Sequence, residues 1–268
     1  MRVLVFDSGV GGLSVVDCLR SIGSGITVDY AADAGFFPYG LKSDDELRAR
    51  LPDICEAFVK AAEADLLVIA CNTASTLALD NVRARLTIPV VGTVPAIKPA
   101  AAVTKTGVVG VLATPGTVRR AYLDKLESDF ANGVNVIRHG SSGLVELAER
   151  SLRGEALAQA RFDREVRPLF DKPDGDRIDV LVLACTHFPL IADRIAASCP
   201  QGVVLIDTGE AVARQAVRLI ERNAAPNFPK SGNVKIGRAW LTGGRANRKA
   251  YAPALFSKGY EAVSTLDV

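Results

Sequence analysis

The sequence predicts an α/β protein built from two similar doubly wound parallel-sheet domains, and three observations carry that prediction. Short apolar runs of strand length alternate with helical patterns along the 268 residues. The runs are continuously apolar instead of alternating, which is the pattern of strands buried on both faces in a parallel sheet covered by helices. Three strand-to-helix corners also occur twice, in the same order.

Taken in order, RVLVF (2–6) feeds a glycine-rich corner, DSGVGGLS (7–14), and a helical pattern follows. ITVDY (26–30) leads toward FFPYGLKS (36–43), which sets Tyr39 and Gly40 on a turn behind a proline, where backbone can approach a ligand. LLVIA (66–70) runs into Cys71-Asn72-Thr73 where a helix should begin, and VVGTV (90–94) follows downstream. The second series is GVVGVL (107–112), VNVIR (134–138), DVLVLA (179–184) and VVLI (203–206). In it VVGVLATPGT (108–117) matches VLVFDSGVGG (3–12), VLVLACTHFP (180–189) matches LLVIACNTAS (66–75), and LIDT (205–208) matches VVGT (90–93). Cys71 and Cys185 are therefore equivalent positions. A break near 96–104, around PAIKPAAAV, and a return near 207–211 divide the chain into a first domain of 1–97 and 208–268 and a second of 98–207. The final strand, IGRAWL (236–241), and a helix over 246–256 rejoin the first domain. Ligands of open α/β sheets bind beyond the carboxyl ends of the strands, so the six corners are expected to face one cleft between the domains.

The balance of 32 basic against 30 acidic side chains, with only 6% aromatic residues, gives no footprint for nucleic acid. The one local excess, Arg238, Arg245, Arg248 and Lys249, lacks interleaved aromatics and reads as solvated surface. No run reaches the roughly 18 apolar residues of a membrane helix, and nothing resembles a signal peptide, so a cytoplasmic location is expected. The five cysteines are odd in number and free of CxxC spacing, which argues against a disulfide framework and against zinc. Cys18, Cys55 and Cys199 lie in predicted helices and read as packing residues.

The chemistry concentrates at Cys71 and Cys185. A cysteine where a strand meets a helix N-terminus finds its thiolate favoured by the helix dipole and free backbone N–H groups. One such residue would suggest a nucleophile, but a nucleophile needs a histidine relay and the chain has only His139 and His187. Two thiols in matched corners suggest instead that one removes a proton from a carbon while the other delivers one to its opposite face, inverting the centre. Their neighbours Asn72, Thr73, Thr186 and His187 are polar where a packing site would be apolar. A phosphate-binding reading of residues 7–14 lacks the required Lys, and Asp7 would repel the phosphate; for an amino-acid substrate Asp7 can meet the ammonium or support a thiol. A thiol redox reading would need two cysteines close in sequence. Glu146, on residues alone, sits at the edge of an amphipathic helix. His187 can tune Cys185, whereas His139 has no such neighbour.

At these residues the chain resembles the glutamate racemases. The resemblance runs through FDSGVGGLSV (6–15), FPYG (37–40), ACNTAS (70–75), GTVPAIKPA (92–100), TPGTV (114–118), LVE (144–146) and ACTHFPL (184–190), in the family's order. It implies L-/D-glutamate interconversion by two cysteine bases without pyridoxal phosphate, metal or other cofactor, and supply of D-glutamate for peptidoglycan. It also implies Cys71, Cys185, Asp7, His187 and Glu146 as catalytic residues. Substrate contacts would come from Asp7, Ser8, Tyr39, Gly40, Asn72, Thr73, Thr186 and His187, and the chain would form a homodimer. The alternative is a sister enzyme acting on aspartate, hydantoin or maleate. Two departures stand out: HGSSG (139–143) replaces a Cys-Pro pair before LVE, and Ala34-Gly35-Phe36 replaces an Arg near the PYG turn.

Overall fold

The computed structural model of the protein describes residues 1–22, 25–223 and 232–267. Its strands are β1 (Arg2–Asp7), β2 (Thr27–Ala32), β3 (Leu66–Ile69), β4 (Val90–Gly92), β5 (Val108–Ala113), β6 (Asn135–Gly140), β7 (Val180–Ala184), β8 (Val204–Ile206), β9 (Lys235–Leu241) and β10 (Val263–Thr265). The helices are α1 (Leu13–Ile22), α2 (Asp44–Ala62), α3 (Asn72–Arg85), α4 (Ile97–Val103), α5 (Pro115–Val118), α6 (Ala121–Phe130), α7 (Gly143–Leu152), α8 (Gln159–Val166), α9 (Ala192–Ser198), α10 (Gly209–Asn223) and α11 (Gly244–Ser257). The chain divides into two compact units, Met1–Thr93 with Gly209–Val268, and Val94–Thr208.

The first unit holds a sheet of order β10-β9-β2-β1-β3-β4, and every recorded pairing in it is parallel. The second holds β6-β5-β7-β8, again all parallel. Numbered within each series, both sheets share the order second-first-third-fourth, and a cysteine follows the third strand in each. β10 is an addition to the sequence expectation. It is three residues long and largely exposed, so no apolar run announces it.

Continuous burial of β1, β3, β5 and β7 explains why these runs carry no polar alternation. In the first unit the rings of Phe6 and Phe58 meet at a tilt with centroids 5.9 Å apart, and Leu47, Leu51 and Ile54 of α2 close one face of the sheet. α2 starts from a capping box, Ser43 and Glu46 each satisfying the other's backbone N–H, with three acidic residues in its first turn. In the second unit Val109, Val111, Val180 and Val182 pack with Ile97, Leu123 and Leu126. Among the described residues no helix is long and apolar enough to cross a membrane.

Candidate active site

Register brings two sequence-predicted residues of the first unit, Asp7 and Cys71, into one row with Asp33. Ala70 N–H donates to the Phe6 carbonyl and Asp33 N–H to the Asp7 carbonyl, so Asp33, Asp7 and Cys71 stand at the carboxyl ends of the adjacent strands β2, β1 and β3. Asp7 is fully buried, and its two carboxylate oxygens accept the Ser8 and Gly12 N–H groups, each at 2.6 Å. Gly12 makes this cradle possible. A Cβ there would lie 3.1 Å from Asp7 Cβ and from Tyr30 Oη and 3.2 Å from Ala70 Cβ, tighter than ordinary contact.

Cys71 is the N-cap of α3, with extended backbone and no side-chain capping bond, so its sulfur sits at the positive end of a 14-residue helix. The helix start is pinned behind it: Ser75 Oγ donates to the Ile69 carbonyl and accepts from Thr93 N–H, tying α3 to the ends of β3 and β4. Cys71, Asn72 and Thr73 are buried. Among the described residues Asn72 Oδ1 is a buried acceptor with no hydrogen-bond donor, a place where a substrate donor would be satisfied.

Tyr39 and Gly40 lie in a 3-10 turn, and Tyr39 is buried rather than poised on the surface. Its hydroxyl donates to Asp33 Oδ2 at 2.7 Å, which leaves backbone groups of the turn as the means of contact with a ligand. Burial, then the charge and hydrogen bond of Asp33, hold the phenol well above its ordinary pKa, so it stays neutral.

The second cysteine corner departs from the expected repeat. Cys185 is followed by a 3-10 turn (Phe188–Ile191) and only then by α9, because Pro189 at the start of the turn interrupts the α-helical bonding pattern. No α-helix dipole begins at this sulfur. A histidine supplies the positive charge instead: His187 Nδ1 lies 3.9 Å from Cys185 Sγ, and His187 Nε2 lies 2.9 Å from Glu149 Oε1. Burial pulls the imidazole down, but its bonds to Cys185 and Glu149 outweigh that and hold it well above the ordinary histidine pKa. A doubly protonated ring donates to both neighbours. Thr186 is buried beside it.

The structure sets Glu149, which the sequence did not single out, beside His187, and leaves Glu146 away from that pair. Both lie on α7, but Glu146 is exposed and pairs with Arg150, whereas Glu149 is 6% exposed and faces His187. One turn of helix separates them, and the apolar stripe of Leu144, Val145, Leu147 and Ala148 was a signal available in the sequence, since Glu149 continues that inward face. His139 belongs to another network, with Nε2 at 2.9 Å from the Glu165 carbonyl, and burial lowers its pKa. Ser141, in the stretch that replaces the Cys-Pro pair, donates to Glu165 and accepts the Leu144 N–H, fixing the start of α7.

The remaining thiols sit in packing. Cys55 is fully buried in the first unit's core, Cys18 is half-buried, and Cys199 caps the C-terminus of α9 instead of lying within it, with Sγ 3.1 Å from the Ile195 carbonyl. Among the described residues no three His, Cys, Asp or Glu side chains are grouped to hold a metal ion.

The chain is similar to known proteins along most of its length. Residues 14–216 match the family model described as Asp/Glu/Hydantoin racemase. A glutamate racemase from Sphingopyxis alaskensis is 52% identical over 230 residues, covering 86% of this chain and 86% of that one. The crystal structure of Escherichia coli glutamate racemase in complex with L-glutamate and an activator is 40% identical, with TM-score 0.87, covering 100% of this chain and 98% of that one. A glutamate racemase isoform from Bacillus anthracis is 28% identical, with TM-score 0.81, covering 100% and 97%. With both cysteine corners inside the matched span and the fold shared along the whole chain, the protein belongs to the Asp/Glu/Hydantoin racemase family.

Proposed function

We propose that the protein racemises glutamate, interconverting the L and D forms with Cys71 and Cys185 as the two bases. The observation that carries this reading is the doubled corner: in each sheet of order second-first-third-fourth, a buried cysteine ends the third strand among polar side chains. The relatives that match most of the chain are glutamate racemases, which selects glutamate within the wider family.

In this mechanism one thiolate takes the α-proton, the electron pair spreads into the α-carboxylate, and the other thiol returns a proton to the opposite face. Cys71 acts on D-glutamate and Cys185 on L-glutamate. Asp7 serves the Cys71 side from its cradle of N–H groups. On the other side Glu149 orients and charges His187, whose imidazolium meets negative charge on Cys185. Ser8, the Tyr39-Gly40 turn, Asn72, Thr73 and Thr186 complete the substrate contacts. Action in the cytoplasm, assembly as a homodimer and supply of D-glutamate to peptidoglycan belong to the same proposal.

The test is α-proton exchange in D₂O. Purified protein should exchange and racemise either enantiomer of glutamate without pyridoxal phosphate or a divalent metal. Cys71→Ser and Cys185→Ser should each nearly abolish racemisation, because an alcohol is far too weak an acid to supply the base at neutral pH, whereas an ordinary thiol starts near about 8.5. Full activity in either variant, or an absolute need for a cofactor, would refute the mechanism.

A further inference from the structure

A group of interlocked side chains lies behind the Tyr39 turn, outside the residues given a chemical role above. Asp33 follows β2, is fully buried, and receives four donated bonds. Arg50 of α2 grips it with two: Nε to Oδ2 at 2.6 Å and Nη2 to Oδ1 at 2.8 Å. Tyr39 Oη donates to Oδ2 at 2.7 Å and Thr242 Oγ1 to Oδ1 at 2.6 Å. Thr242 Oγ1 in turn accepts the Gly35 N–H at 2.9 Å. The segment 34–36 carries no charge of its own, and the Phe36 ring meets two cations, with Lys42 Nζ 4.3 Å and the Arg50 guanidinium 5.0 Å from its centre. The same ring meets Tyr39 edge-on, with centroids 6.3 Å apart.

The bonding pattern is directional. Asp33 has every strong acceptor position filled, and each donor comes from a different place: the turn (Tyr39), the helix after it (Arg50) and the residue after β9 (Thr242). Burial pushes this carboxyl up, but the bonds from Arg50, Thr242 and Tyr39 hold it below its ordinary value, so it is a carboxylate throughout the neutral range. A fork of two parallel N–H bonds fixes the plane of a carboxylate as well as its charge, which a single ammonium contact does not. With that plane fixed, the direction of the Tyr39 Oη bond is fixed, and with it the rotamer of Tyr39 and the course of the 3-10 turn through Gly40.

We propose that Arg50 is a positioning residue, acting through Asp33 to hold the Tyr39-Gly40 turn in the geometry that receives substrate. This rests on the reading that the Tyr39-Gly40 turn contacts glutamate. Arg50 itself touches no reacting atom in this scheme. Its guanidinium borders a cavity of about 390 Å³ lined by Gly35, Phe36, Thr242 and Gly243, and its side chain keeps 26% exposure, so it can be altered without opening the apolar core.

The experiment is a double-mutant cycle read as KM against kcat for glutamate, with melting temperatures recorded alongside. Arg50→Met should raise KM about tenfold or more while kcat changes less than about threefold, because the turn binds substrate and carries neither proton. Arg50→Lys keeps the charge but loses the fork, and should fall between wild type and Arg50→Met; it also carries the test if Arg50→Met fails to fold. Asp33→Asn should raise KM similarly, and Asp33→Asn with Arg50→Met should be no worse than the poorer single variant. An unchanged KM in folded Arg50→Lys and Arg50→Met would show a purely structural pair and overturn the proposal. Additive KM effects would overturn it too, since Arg50 would then act without Asp33. Wild-type protein that turns over no glutamate defeats the functional reading and this proposal together, whereas normal wild-type turnover with unaltered variants defeats this proposal alone.

Discussion

The buried pair of His187 and Glu149 makes a prediction that can be read one proton at a time. Substituting Glu149→Gln keeps the size of the side chain and an oxygen near His187 Nε2 but removes the charge. Both groups are almost fully buried, 3% and 6% exposed, so solvent screens little of their interaction. A hydrogen bond to a charged group in such a setting is worth about 1.5–3 kcal/mol. At about 1.4 kcal/mol per factor of ten, losing it should raise the acid dissociation constant of His187 roughly ten- to a hundredfold. The chain has only two histidines, so an imidazole NMR titration gives two resonances. His139 should titrate below ordinary histidine and His187 well above it, and only His187 should move in Glu149→Gln. Because His187 binds its proton more tightly in the folded chain, its stabilising contribution is complete below the unfolded value near 6.5 and is lost as pH rises through the folded value. Glu149→Gln should therefore lower the melting temperature most at mildly acidic pH and least in alkali. A His187 that titrates below 6.5 in the wild type, or one that Glu149→Gln leaves in place, would refute the charged pair.

Three further outcomes follow from packing and burial. Gly12→Ala should cost about 1–3 kcal/mol in denaturant unfolding and impair turnover as well, since the added methyl meets Asp7, Tyr30 and Ala70 at once; an unaltered enzyme would mean the cradle relaxes freely. Burial pushes the Cys199 thiol up to about 11 and Cys55 higher still, so mass spectrometry after iodoacetamide at pH 7 should find both largely unmodified, with prompt labelling of Cys55 the contrary result. Ser43→Ala removes one half of the α2 capping box and should cost about 0.5–2 kcal/mol, measured by thermal unfolding.

The inner strands were legible because a parallel sheet covered on both faces demands unbroken apolar runs, and β1, β3, β5 and β7 rise from such runs, whereas β6 and β9 carry arginines and are only partly buried. β10 has no such run, being an exposed edge defined only by its bonds to β9. Cys71 and Cys185 could be found by comparing the chain with itself, since a repeated corner needs no knowledge of the fold. Glu149 was harder. Choosing between two glutamates one turn apart on α7 depends on the helix's rotation about its axis, which is set by what it packs against. The Asp33 network was out of reach for a different reason: Arg50 and Thr242 meet Asp33 from 17 and 209 residues away, and no local pattern ties such distant positions together. At Cys185 the sequence suggested a helix N-terminus, and the proline at 189 was the sign that a tighter turn would come first.

The discontinuous first unit has a consequence for the order in which the molecule is made. Residues 94–208 complete their own sheet while the first unit still lacks β9, the partner that covers the outer edge of β2. As the chain leaves the ribosome, β2, β1, β3 and β4 can already form the same four-stranded arrangement as the other unit, but with β2 as an open edge. At about 5–20 residues per second that edge waits on the order of ten seconds for Lys235–Leu241 to emerge. During that interval the nascent half-sheet offers a row of unpaired backbone groups, the kind of template on which neighbouring chains aggregate. Thr242, which follows β9 and bonds to Asp33, arrives with the strand that closes the edge, so the nascent chain acquires its finished Tyr39 turn only when β9 docks on β2.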